Sequence, residues 1–175
     1  MVLIQHGFSV FDCDDIVYQI PSLLDEERYS LEAMKFIVVG NRMGCVRMCR
    51  FFSNEGSVKA RAIKEQEVIR LCLKDQKQEG IVEYQNTMLI YRFYTNLIFI
   101  AGTSLDENEL AVMEVLQNFV ETIIKHFEQV SEQDFVYNMD KVHMILDEMV
   151  VSGNIAETNK SRVLLPLQLM DATRR

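Results

Sequence analysis

The sequence predicts an α+β domain of two or three layers. Three observations carry that prediction. Five short β-rich runs fall between residues 35 and 101. One helical pattern separates the second run from the third, and strongly amphipathic helical patterns follow the fifth. Two of the links are hairpin-like, which argues for antiparallel pairing.

The first run, Lys35–Asn41 (KFIVVGN), is apolar without alternation, as expected for a strand covered on both faces. Asn41-Arg42-Met43-Gly44 is turn chemistry, with Gly44 free to take positive φ. Val46–Phe52 returns as the second strand, with Val46, Met48 and Arg50 on one face and Arg47, Cys49 and Phe51 on the other. Gly56-Ser57 marks a loop. Lys59–Lys74 fits a helix whose apolar stripe holds Ile63, Val68, Ile69, Cys72 and Leu73. Gly80 ends a polar linker. Ile81–Tyr84, Met88–Tyr94 and Leu97–Ala101 are the next three strands, joined at Gln85-Asn86-Thr87 and, with a weaker break, at Thr95-Asn96.

Ser104 and Glu107 fit a capping box that opens a helix to about Glu128. Its buried stripe is Val112, Leu116, Phe119, Val120, Ile123 and Phe127. Ser131 and Asp134 open the next helical segment, whose apolar face is Val142, Ile145, Leu146 and Met149 and whose stop is Gly153. From Glu157 a short helix runs until Pro166, which either interrupts it or starts a new turn. Glu121 is placed to pair with Lys125, and His143 with Asp147. Met113, Met144 and Met149 fall at helical spacing and read as core filling.

Composition narrows the function. The net charge is -8, and a phosphate-binding surface needs clustered bases, so nucleic acid is excluded as the expected partner. Residues 1–33 carry seven acids and one base, which makes them an acidic N-terminal extension distinct from the domain at 34–175. Within it Leu23–Ala33 reads as a short helix capped by Ser22. The start lacks a basic n-region, so no secretory signal is read there. No apolar run approaches the roughly 20 residues of a membrane span, so membrane association is expected to be peripheral or through a partner. Four cysteines without such a signal fit reduced thiols. Cys45 and Cys49 lack a second ligand pair, so no metal is expected, and without a glycine-rich phosphate loop no cofactor is expected either. His6, His126 and His143 are scattered and no catalytic cluster is evident, so no enzyme is expected from the residues.

Several segments together carry a family resemblance. MKFIVVGNRMGCVRMCRFF resembles the opening hairpin of the small (sigma) chains of clathrin-adaptor complexes, and LIYRFYTNLIFIAG resembles their strand pair. ENELAVMEVLQNFVETIIKHFEQVSEQD resembles their long helix, and NMDKVHMILDEMVVSGNIAETNKSRVL is similar to their ending. EVIRLCLKD and RVLLPLQLMD look most like the sigma chain of the fourth adaptor complex. The resemblance covers about Met34 to Asp171. Family chains begin near Met34, which leaves two readings of residues 1–33 open: Met34 is the true start, or the acidic segment is a regulatory tail.

The resemblance implies a longin-like fold, a five-stranded antiparallel sheet flanked by helices on both faces. It implies a heterotetramer of two large adaptin chains, a medium (mu) chain and this small chain, with the small chain docked in the curve of a large one. Such assemblies sit peripherally on trans-Golgi, endosomal or coated-vesicle membranes and select cargo. In several members the small chain holds much of the site for acidic dileucine signals on cargo tails. By motif position the leucine groove would involve Thr95, Leu97, Val120 and Val130, with Gln129 beside it and Arg47 near the acidic end. The family usually has alanine where Thr95 stands and leucine where Gln133 stands. The competing reading is a coatomer zeta-like chain or another longin module that binds a small GTPase or a tether. A longin SNARE is disfavoured, because no heptad segment or membrane span follows the domain.

Overall fold

A computed structural model describes residues 34–53, 56–75, 77–128 and 130–173. The acidic segment 1–33, with the helix expected at Leu23–Ala33, lies outside the described residues.

Strands β1 (Met34–Asn41) and β2 (Val46–Phe51) form the first hairpin. Helix α1 (Val58–Lys74) follows, then β3 (Glu79–Tyr84), β4 (Thr87–Tyr94) and β5 (Leu97–Thr103). The five strands pair in the order β2-β1-β5-β4-β3, antiparallel throughout. Helix α1 therefore links the two edge strands. After β5 come α2 (Glu109–Phe127), α3 (Glu132–Tyr137) and α4 (Met139–Met149). A small hairpin of β6 (Val150–Val151) and β7 (Asn154–Ile155), then α5 (Lys160–Val163) and α6 (Leu165–Thr173), complete the fold.

Both faces of the sheet are covered, which is why β1 and β5 read as unbroken apolar runs. All seven residues of β5 are buried. Leu97, Phe99 and Ala101 pack with Ile37, Val39 and Ile90 against the layer α2–α6. Ile98 and Ile100 pack with Phe36, Val38, Leu89 and Tyr91 against Val68, Ile69 and Cys72 of α1. Gly102 lets the tip of the Phe36 ring approach β5 closely, since a Cβ there would sit 2.2 Å from Phe36 Cζ.

Several local expectations change. Helix α2 is capped by Asn108 and not by a Ser104–Glu107 box. Asn108 Oδ1 accepts from the amides of Leu110 and Ala111 at 3.1 and 3.4 Å, while Glu107 only closes a turn back to the Ser104 carbonyl. Ser131 does cap α3, its Oγ accepting from the Asp134 amide at 3.1 Å. The segment then breaks at Asn138, whose side-chain amide donates to the Asp134 carbonyl at 2.9 Å and competes with continuing the helix. Gly153 does not end α4, which stops at Met149. It turns the β6–β7 hairpin with φ +80°, and its carbonyl accepts from the Met34 amide at 2.9 Å. Of the two readings at Pro166, the structure takes the second, a new helix, α6. Ile63 leaves the buried stripe of α1 and is 60% exposed. Glu121 bonds Lys160 and Gln117 where a pair with Lys125 was expected, and Lys125 Nζ donates to Ser161 Oγ at 3.0 Å. Met149 is buried and Met113 and Met144 pack against the same core, as their spacing indicated.

Candidate functional site

The β4–β5 turn and the α2–α3 junction meet at one end of the sheet. Thr95, the first residue of the turn, has φ 50°, a left-handed conformation that a β-branched residue rarely adopts. Such strain costs about 1–3 kcal/mol. Two bonds hold the residue there. Its Oγ1 donates to the Val130 carbonyl at 3.3 Å, and its own carbonyl accepts from Arg42 Nε at 3.2 Å. The Arg42 guanidinium lies 4.6 Å from the centroid of the Phe93 ring.

Arg47, on β2, reaches α3. Its Nε and Nη2 donate to Glu132 Oε1 at 2.7 and 2.5 Å. Asn41 Nδ2 donates to the same oxygen at 2.9 Å. Asn41 is itself buried, and its Oδ1 accepts from the amides of Met43 and Cys45 at 3.1 and 2.9 Å. One asparagine thus orders the β1–β2 turn and ties it to α3. The Asn41 amide first, and then Arg47, hold the Glu132 carboxyl below the usual glutamate range.

A surface cavity of about 390 Å³ opens here, lined by Tyr94, Thr95, Asn96, Glu128, Val130, Ser131 and Glu132. Of the residues expected at a leucine groove, Thr95 and Val130 line it directly. Leu97 and Val120 do not, being 0% and 3% exposed, yet they share one apolar cluster with Val130. Arg47 connects to the cavity through Glu132. Gln129 lies outside the described residues. Sequence reasoning missed Glu132 and Asn41. The available signal was a base on a strand, Arg47, with no acid on its own hairpin to pair with. A larger cavity of about 680 Å³ runs along α2 toward Lys160 and contains none of the expected residues.

Asp147 bridges Arg50 at 2.7 Å where a pair with His143 was expected. His143 Nδ1 is buried with no hydrogen-bond partner, and burial first, then Arg50, lowers the pKa of the ring. Burial pushes the Cys72 thiol up to about 12, and burial followed by Glu65 raises that of Cys49, so both stay protonated. Among the described residues no group of three His, Cys, Asp or Glu side chains is placed to hold a metal ion. No helix among them is long and apolar enough to cross a membrane.

The chain matches the family model "Clathrin adaptor complex small chain" over residues 33–174. It is 41% identical to the human AP-4 complex subunit sigma-1 over 139 residues, covering 79% of this chain and 96% of that one. Identity to the AP-4 complex subunit sigma of Arabidopsis thaliana is 40% over 139 residues, with the same coverage. An AP-2 complex subunit sigma from Gibberella zeae stands nearly level, at 39% over 143 residues, 79% of this chain and 97% of its own. Among solved structures, a chain of a homology model of the full-length AP-3 complex superposes with a TM-score of 0.64 at 21% identity, covering 80% of this chain and 94% of that chain. That likeness agrees with the longin-like arrangement of a five-stranded antiparallel sheet between helices. A matching family model over nearly the whole described region and relatives at about 40% identity lead to one conclusion: this chain belongs to the family of clathrin-adaptor complex small chains.

Proposed function

We propose that this protein is the sigma subunit of a heterotetrameric adaptor complex of the fourth type, and that it contributes the leucine-binding part of a site for acidic dileucine signals on cargo tails. The observation that supports the second part is the placement of Leu97, Val120 and Val130 in one apolar cluster beside the Thr95 turn and its open cavity. Two leucine side chains need such walls. Burial of each contributes about 1.5–3 kcal/mol before ordering costs. Leu97 and Val120 are closed off in the isolated subunit, so on this reading leucine entry requires a local opening of the wall.

The partners on this reading are two large adaptin chains and a mu chain, with peripheral attachment to trans-Golgi, endosomal or vesicle membranes through the complex. Exposed apolar residues support a docked partner. Leu165 and Leu169 lie one turn apart on α6, and Val136, Tyr137, Val151 and Ile155 are also exposed. Affinity purification of the tagged chain tests the assembly. Two adaptins and a mu chain in comparable amounts are expected, and recovery of coatomer or tether subunits would overturn it.

For the peptide site, Val120→Asp or Leu97→Ser in the assembled complex should weaken binding of a dileucine peptide at least about tenfold, the penalty of a polar group in an apolar wall. Retained affinity in a variant that still co-purifies with its large chain would sink the reading.

A further inference from the structure

The candidate site carries an acid of its own on the cation that an acidic signal would need. Arg47 presents two donors to a single oxygen, Glu132 Oε1, and Asn41 adds a third. The two side chains are 33% and 30% exposed, so the pair sits at the rim where a peptide can reach it. Glu132 also lines the cavity beside Val130, together with Glu128, and the lining described holds no basic side chain. An incoming carboxylate therefore meets two like charges and a guanidinium already in use.

The position of Glu132 in the chain makes the arrangement durable. It opens α3 directly after the capping Ser131, where a negative charge is favoured. Asn41, which fixes its carboxylate, is held in turn by two backbone amides of the β1–β2 turn. A glutamate is ionised at neutral pH in any case, and the Asn41 and Arg47 bonds favour that charged form further.

We propose that Glu132 is a specificity-determining residue: it acts as an internal stand-in for the acidic group of the signal, occupies Arg47 in the unliganded subunit, and weakens the preference for acid-bearing dileucine peptides. This rests on the peptide-binding reading of the same site. Exchange of one carboxylate for another on Arg47 gains little, because the bond broken resembles the bond made. The leucine pair therefore carries most of the affinity, and the upstream acid adds discrimination only when Glu132 is neutralised or turned away.

The test uses the assembled complex and two synthetic dileucine peptides that differ only in an upstream Glu or Gln. The readout is the ratio of their affinities in the wild type, Glu132→Gln, Arg47→Gln and the double variant. Glutamine keeps the size of Glu132 and an oxygen for Asn41 and Arg47 but removes the charge. Glu132→Gln should raise the acidic-over-neutral ratio about fivefold, the scale of an exposed ion pair. That rise should vanish on the Arg47→Gln background, the signature of two coupled residues. An unchanged ratio, or the same rise without Arg47, overturns the proposal. Peptides with Ala-Ala in place of Leu-Leu separate the two readings. If dileucine peptides bind no better than these in any variant, the peptide site fails and this proposal falls with it. If they bind better and the ratio does not move, only the role of Glu132 falls.

Discussion

The two faces of the sheet are covered in different ways. On one face, residues from α2, α3, α4, α5 and α6 pack into a single cluster with Leu97, Phe99 and Ala101. Phe99 stands edge-on to both Phe119 and Phe135, with ring centroids 6.1 Å apart in each case. On the other face α1 is the one helix among the described residues, and only Val68, Ile69 and Cys72 are buried on it. Its first turns stand in solvent, with Val58 82% exposed. The difference teaches where a binding site can be kept. The leucine groove proposed above draws on residues of the densely packed face, so on that proposal Leu97, Val120 and Val130 would serve the core and the site together. The α1 face contributes none of the three apolar residues of the proposed groove.

The sharpest way to break this comparison is Phe99→Ala. It removes the ring that two helices of the dense face share. A loss of about 3–5 kcal/mol is expected in denaturant unfolding of the full chain. A loss below about 1 kcal/mol would show that the dense face repacks freely, and the contrast between the faces would fail.

The second probe stays on α1. Ile69 is fully buried against the sheet, and its Cδ1 approaches Gly40 closely. Ile69→Ala should cost about 2–4 kcal/mol. Ile63, on the same helix but exposed, should tolerate Ile63→Ser within about 0.5 kcal/mol. Equal effects at the two positions would mean that α1 packs along its whole length.

That pair also marks what the sequence could and could not disclose. The strands were legible because β1 and β5 are apolar at consecutive positions, a direct consequence of a sheet covered on both sides. The stripe of α1 was legible only in its second half. Periodicity places Ile63 beside Val68 and Ile69, but it cannot show that Arg61 and Lys64, over the Phe51 and Phe36 rings, meet the sheet there while Ile63 stays exposed. The cap of α2 was misplaced because Ser104 and Asn108 both offer an oxygen at the right spacing, and the choice depends on where β5 releases the chain. At the site, Thr95, Val130 and Arg47 were marked by family resemblance. Glu132 falls within the same family-like helix segment but was given no role at the site, since that role depends on a contact across 85 positions that no local pattern records. The partners of Glu121 and Asp147 escaped for the same reason: i,i+4 spacing was available, but Lys160 and Arg50 are placed better by the fold.

The smallest expected effect concerns pH, and it sharpens the contrast in a different way. His126 and His143 both lie on the dense face, and burial lowers the pKa of each. Their neutral forms are favoured by folding. The stability they contribute is present above the ordinary histidine pKa and is lost as pH falls below about 6.5. Glu132 and Glu121 have depressed pKa values as well, through Asn41 and Lys160 respectively. Their contribution is present above the ordinary glutamate pKa of about 4.3 and is lost as pH falls through their lower folded values. Acid should therefore destabilise the fold in two limbs. Among the described residues α1 and its face hold no histidine, so the first limb reports on the dense face alone. Glu132→Gln should lower Tm slightly at neutral pH, leave the first limb in place, and converge with the wild type once pH has fallen through the depressed folded pKa of Glu132, where the wild-type carboxylate is also neutral. A Glu132→Gln chain that keeps its deficit in acid would show that Glu132 stabilises the fold by shape and not by charge. The ion pair with Arg47 would then be a consequence of packing at the α2–α3 junction.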